Sequence, residues 1–158
     1  MSGSLSRRNL MLIAGLGSAA LLAGAFLFQA LGYAPCKMCY WQRYPHVAAA
    51  LIGLTALFGT SRLLAAGGAL AATITAVLGV YHVGVEQKLW EGPSSCTGGG
   101  GGLAGLSGAE LLSTDTIDKV VMCDEVSWAL FGISMPGWNA IFSALLVVVW
   151  IVALRRPV

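Results

Sequence analysis

Charge is scarce in this chain. Only 10% of its 158 residues are Asp, Glu, Lys or Arg, against about 25% in an ordinary soluble domain. The hydrophobic share is 57% and the mean hydropathy is +0.79. A water-soluble globule with a charged shell is therefore excluded, and a bundle of apolar helices in lipid is the expected form. Acidic residues are missing before Glu86 and after Glu125. A formal net charge of +2 is too small to imply nucleic acid as a partner. Cysteine is also sparse, and a protein held together by lipid-facing helices has little structural need for it. That makes the four thiols present worth explaining.

Four apolar runs predict four membrane spans, at 10–31, 44–59, 63–85 and 137–154. About 20 residues at 1.5 Å rise cross a hydrocarbon core roughly 30 Å thick. Gln29 is the only strongly polar member of the first run. Pro45 is expected in the first turn of the second helix, where a missing N–H costs nothing. Many glycines and alanines fill the runs and let helix backbones approach closely. Arg7, Arg8, Arg62, Arg155 and Arg156 fall on one side of such a bundle. By the positive-inside rule that side is cytoplasmic, so both termini are expected there. The loops 32–43 and 86–136 then face outward. Trp41, Trp90, Trp128 and Trp138 are expected as anchors at the outer boundary and Trp150 at the inner one. Ser6-Arg7-Arg8-Asn9-Leu10 loosely resembles a twin-arginine signal, but the apolar run continues to spanning length, so the arginines read as topology determinants.

The second outer loop carries the run Gly98 to Gly102, which reads as a tether. Ser107-Gly108-Ala109-Glu110 has capping-box spacing. Ile117, Val120 and Val121 recur at helical period opposite Asp115, Asp118 and Lys119. This predicts a short amphipathic helix, either on the membrane surface or on top of the bundle.

Cys36 and Cys39 form a C-x-x-C pair at the lip of the second span. Cys96 and Cys123 bracket the polar loop. On the outer face paired cysteines are expected as disulfides, and two static staples are one reading. A C-x-x-C ring closes little chain entropy, however, and such a pair suits exchange chemistry. Four thiolates could hold zinc, but the second pair lacks zinc-site spacing, and no metal is expected. Lys37 lies between the first two thiols, and Arg43 shares a face with Cys39 if a helix starts here. Positive charge and a helix N-terminus both favour a thiolate, so Cys39 is the candidate nucleophile. Arg43 could instead be an interfacial anchor. Cys123 is followed by Asp124 and Glu125, which disfavours its thiolate. Cys96 is thus the better site for attack by a soluble thiol, with Cys123 resolving. His82 is an ionisable residue at the outer end of the third span, a functional candidate by default. It could donate to a quinone carbonyl or make an interhelical hydrogen bond. His46 is more ambiguous.

The sequence Cys36, Cys39, Trp41, Gln42, Arg43, the second cysteine pair in a long second loop, and Gly132-Ile133-Ser134-Met135-Pro136-Gly137-Trp138 resemble the DsbB family over nearly the whole length. These are bacterial inner-membrane disulfide-bond formation proteins. The resemblance implies a four-helix membrane bundle that acts as a protein-dithiol:quinone oxidoreductase. It implies that a reduced periplasmic DsbA-like thioredoxin-fold partner attacks the Cys96–Cys123 disulfide at Cys96. Cys123 then exchanges with the first pair, through a transient Cys36–Cys123 link. Cys39, as thiolate, contacts a quinone (ubiquinone or menaquinone) in a charge-transfer arrangement, with Arg43 stabilising it and His82 on the quinone side. The glycine run departs from the familiar members. Two other readings remain: a relative dedicated to one client, and a membrane scaffold whose disulfides only hold the loop.

Overall fold

The computed structural model describes residues 6–93 and 122–157. Four helices, α1 (Arg7–Ala30), α2 (Lys37–Thr55), α3 (Arg62–Glu86) and α4 (Met135–Arg155), carry the fold. Each packs on its neighbour in the chain and α4 closes against α1, with the α3–α4 interface the most extensive. A two-stranded antiparallel hairpin, β1 (Ala129–Leu130) and β2 (Ile133–Ser134), leads into α4. Cys96, the glycine run and the expected amphipathic helix lie outside the described residues.

α1, α3 and α4 are long and apolar enough to cross a membrane. Their outward faces carry large apolar side chains, among them Leu16, Leu63, Leu70, Val77 and Leu145, all more than half exposed. Only lipid would cover such a surface favourably. The interior is instead built from small and polar residues: Ala14, Ala49, Ala65 and Ala72, with Ser18, Thr75 and Ser143 fully buried. This is how helices associate when packing drives the contact. α1 and α2 meet where Gly15 faces Gly53. A Cβ added at Gly53 would lie 2.5 Å from the Gly15 Cα, so neither position has room for a side chain.

α2 differs from the expected second span at both ends. It starts at Lys37 and ends at Thr55, where the N–H groups of Ala56, Leu57 and Phe58 turn to carbonyls three residues back. Pro45 is consequently inside the helix, not in its first turn. A proline there leaves the Trp41 carbonyl without its helical donor, at a cost on the order of 3 kcal/mol. The earlier start brings Cys39, Gln42, Arg43 and His46 onto one continuous helix. Trp150 is also not the boundary anchor expected. It is fully buried among Leu10, Met11, Ala14 and Ala65, in a slot left by Gly68, where a Cβ would lie 2.5 Å from the ring.

Two local devices hold the ends. α1 stops at Gly32, whose φ of 97° allows the Gly32 and Tyr33 N–H groups to cap the Gln29 and Phe28 carbonyls. The rings of Phe28 and Tyr33 then meet at 5.6 Å. This six-to-one closure aims the following segment, with Cys36, back over the bundle. At the opposite end Arg7 donates from Nε to the Ala153 carbonyl at 3.3 Å and from its guanidinium to the Arg156 carbonyl. A cation on the last carbonyls of α4 is favoured by the helix dipole. The start of α1 and the end of α4 thus share one end of the bundle, opposite the cysteines.

Candidate functional site

Cys36 is the N-cap of α2 and Cys39 lies in its first turn. Their sulfurs are 3.3 Å apart, with Cys36 donating to Cys39. This hydrogen bond is the main cause that lowers the Cys39 thiol below its ordinary pKa; Arg43 helps through space while burial opposes it. The Cys36 thiol is pushed up to about 12 by the same bond and by its burial. The pair is therefore asymmetric: Cys39 is the sulfur that loses its proton first, as a nucleophile or electron donor requires.

His82 reaches across from α3, its Nε2 3.5 Å from the Cys36 sulfur. Cys123 is 1% exposed and shares a buried cluster with Cys36, Met38 and Val85. Three of the four cysteines are thus brought together by segments far apart in sequence. The sulfurs of Cys36 and Cys39 and a His82 ring nitrogen lie within 4.8 Å of one another.

Beside the thiols is a cavity of about 430 Å³ between α1, α2, α4 and the hairpin. Leu21, Phe28, Met135 and Phe142 make its wall apolar, and Cys39, Arg43, His46 and His82 all border it. Arg43 is anchored by donating to Gln29 Oε1 at 2.8 Å and to the Ala25 carbonyl at 3.4 Å. Its guanidinium lies between the rings of Phe26 and Tyr40, 4.8 and 4.9 Å away. Arg43 Nε and His46 Nδ1 are buried and find no partner among the described residues. The unspent Arg43 N–H is a donor on the rim of an apolar slot, which suits an apolar ligand carrying an acceptor oxygen.

The family model of the disulfide bond formation protein DsbB matches residues 7–153. The chain belongs to the DsbB family. It is similar to disulfide bond formation protein B of Marinobacter nauticus, 33% identical over an alignment of 150 positions that covers 87% of this chain and 86% of the relative. The same protein of Verminephrobacter eiseniae is 34% identical over an alignment of 163 positions that covers 96% of this chain and 88% of the relative. That of Stutzerimonas stutzeri is 32% identical over 146 residues, 85% and 86%. No solved structure matches. This DsbB-family chain is thus an oxidoreductase of disulfide formation, and its apolar helices agree with an inner-membrane protein.

In this DsbB-family site the structure gathers Cys36, Cys39, Cys123, Arg43 and His82, while Cys96 is not described. It also gathers polar residues whose role was not legible along the chain. Gln42 links His82 to Asn139, and Asn139 reaches Thr75, Ser143 and His46. The available signal was their polarity inside apolar runs, since such groups rarely persist there without a task.

Glu86, at the end of α3, borders the same cavity and accepts from Ser134 Oγ.

Proposed function

We propose that the chain reoxidises a DsbA-like periplasmic thiol oxidase and passes the electrons to a membrane quinone, so sustaining disulfide formation in exported proteins. The observation that carries this reading is the 3.3 Å Cys36–Cys39 pair, with Cys123 buried in the same cluster, at the edge of an apolar cavity rimmed by Arg43 and His82.

The partner dithiol gives two electrons to the Cys96–Cys123 disulfide and becomes a disulfide itself. Cys123 then attacks Cys36, breaking the Cys36–Cys39 bond and releasing Cys39 as a thiolate. Cys96 attacks Cys123 next, restoring that disulfide and releasing Cys36 as a thiol. The Cys36/Cys39 pair finally closes its own disulfide, losing two electrons and two protons. A bound quinone supplies the two-electron, two-proton acceptor and the oxidising drive, at about 30 mV per 1.4 kcal/mol. Arg43 is placed to bind a carbonyl oxygen and to stabilise negative charge on Cys39. The apolar walls exclude water from the exchanging sulfurs.

Arg8, Arg62, Arg155 and Arg156 favour a cytoplasmic location for the opposite end of the bundle, with α2 as the fourth span and both termini inside. The test is reconstitution of the full chain in nanodiscs containing ubiquinone or menaquinone, with a reduced thioredoxin-fold oxidase added. One quinone is expected to be consumed per partner disulfide formed. A folded chain that consumes none in either lipid would overturn the reading.

A further inference from the structure

The polar residues between α2, α3 and α4 form one continuous chain of hydrogen bonds, and two backbone carbonyls fix its direction. Gln42 Nε2 faces the Met38 carbonyl at 3.2 Å. A carbonyl only accepts, so the amide nitrogen of Gln42 must point there. The same nitrogen is 2.9 Å from His82 Nδ1, which therefore accepts. A ring that accepts at Nδ1 carries its proton on Nε2, the atom 3.5 Å from the Cys36 sulfur. Gln42 Oε1 is left to accept from Asn139 Nδ2 at 2.7 Å. Asn139 Oδ1 must then accept, and it lies 2.8 Å from His46 Nε2. Thr75 supplies the second anchor. Its hydroxyl donates to the Gln42 carbonyl at 3.2 Å, so it can only accept from His46 Nε2, 3.1 Å away. Both anchors agree, and His46 Nε2 is a donor.

We propose that Gln42, Asn139 and His46 are positioning residues that polarise this chain in one direction, from His46 through Asn139, Gln42 and His82 to Cys36. His82 is thereby held with its Nε2–H facing Cys36, and the Cys36 thiol proton faces Cys39. The inference rests on the reading of Cys36 and Cys39 as the exchanging pair. Aligned donors reinforce one another in a low-dielectric interior. They stabilise negative charge at the far end, on Cys39, and give Cys36 an N–H donor whenever its sulfur leaves as a thiolate. Locking the tautomer through a second polar group is also how a histidine is commonly oriented for its task.

Other ionisable groups stand near Cys39, and of these Cys36, Arg43 and Cys123 act on its thiol. The neighbours are Cys36, Lys37, Tyr40 and Arg43 around the start of α2, and Tyr81, His82 and Glu86 on α3. Tyr33, Cys123 and Glu125 approach from the connecting segments, while among the described residues α1 and α4 bring no titratable side chain to the cavity.

The test uses the full chain, reduced and free of quinone, with ¹⁵N-labelled histidine. Nitrogen chemical shifts should show His82 and His46 each protonated at Nε2 and unprotonated at Nδ1. In Gln42→Met, His82 should become a mixture of tautomers. The ultraviolet thiolate titration of Cys39 should move up by about one pH unit, a tenfold smaller thiolate-to-thiol ratio at a given pH. Should Gln42→Met fail to fold, Asn139→Leu removes the donor to Gln42 Oε1 and should move the midpoint the same way, by about threefold in thiolate-to-thiol ratio. A merely structural role would lower thermal stability and leave tautomer and midpoint in place. His82 protonated at Nδ1 in the parent, or an unmoved midpoint in a folded variant, overturns the proposal. If the tautomers are as stated but no quinone is reduced on reconstitution, it is the functional reading that fails.

Discussion

Cys39→Ser is expected to abolish quinone-linked oxidation of the partner, by on the order of 10⁴-fold or more, as removal of a reacting nucleophile does. The fold should survive. Serine can still accept the hydrogen bond from Cys36, so the stability change should stay within about 1 kcal/mol. Cys36→Ser should be equally inactive for a different reason. Its hydroxyl still donates toward Cys39, so Cys39 remains readily ionised but has no disulfide partner. The two variants are separated by alkylation at graded pH. Cys39 in Cys36→Ser should react below the pH at which an ordinary thiol does, whereas Cys36 in Cys39→Ser should react sluggishly, consistent with its raised pKa. Turnover that persists in Cys39→Ser would end the assignment of that sulfur as the electron donor.

Arg43→Met carries the second large effect. The guanidinium does three things at once: it satisfies Gln29 Oε1 and the Ala25 carbonyl, fills the gap between Phe26 and Tyr40, and puts positive charge beside the thiols. Methionine replaces only the volume. Removing the donor to Gln29 Oε1 and the Ala25 carbonyl should cost about 1 kcal/mol of stability. Loss of a charge-assisted contact worth about 3 kcal/mol should lower kcat/KM for quinone roughly 100-fold. Arg43→Lys should recover part of the rate, because the charge remains, but little of the stability, because an ammonium cannot span Gln29 and Ala25 as the planar fork does. Equal recovery of both would show that charge alone matters. Melting curves beside steady-state kinetics at varied quinone concentration decide between these outcomes.

Arg43 also shows where reading the chain in one dimension reaches its limit. Its spacing from Cys39 correctly placed the two on one helical face, yet its closest partners lie on α1 and could not be inferred from α2. Pro45 misled for a local reason. Its preference for a first turn is real, but the contacts of Gln42, His46 and Thr75 hold a helix that begins two turns earlier. Trp150 misled because a tryptophan near a span end usually sits at the interface, and only the vacancy at Gly68 on another helix makes it a core residue.

The amino-acid order alone determined the long apolar helices, the asymmetry of charge between their ends and the presence of a C-x-x-C pair at the start of a helix. Each of these depends on hydropathy, helical period or near-neighbour chemistry, all of which act over a few residues. Which nitrogen of His82 faces which sulfur, and that Asn139 completes the link through Gln42, was decided by helix packing. Those groups come from three helices far apart along the chain. Their hydrogen bonds acquire a direction only when the backbone carbonyls of Met38 and Gln42 are brought against them.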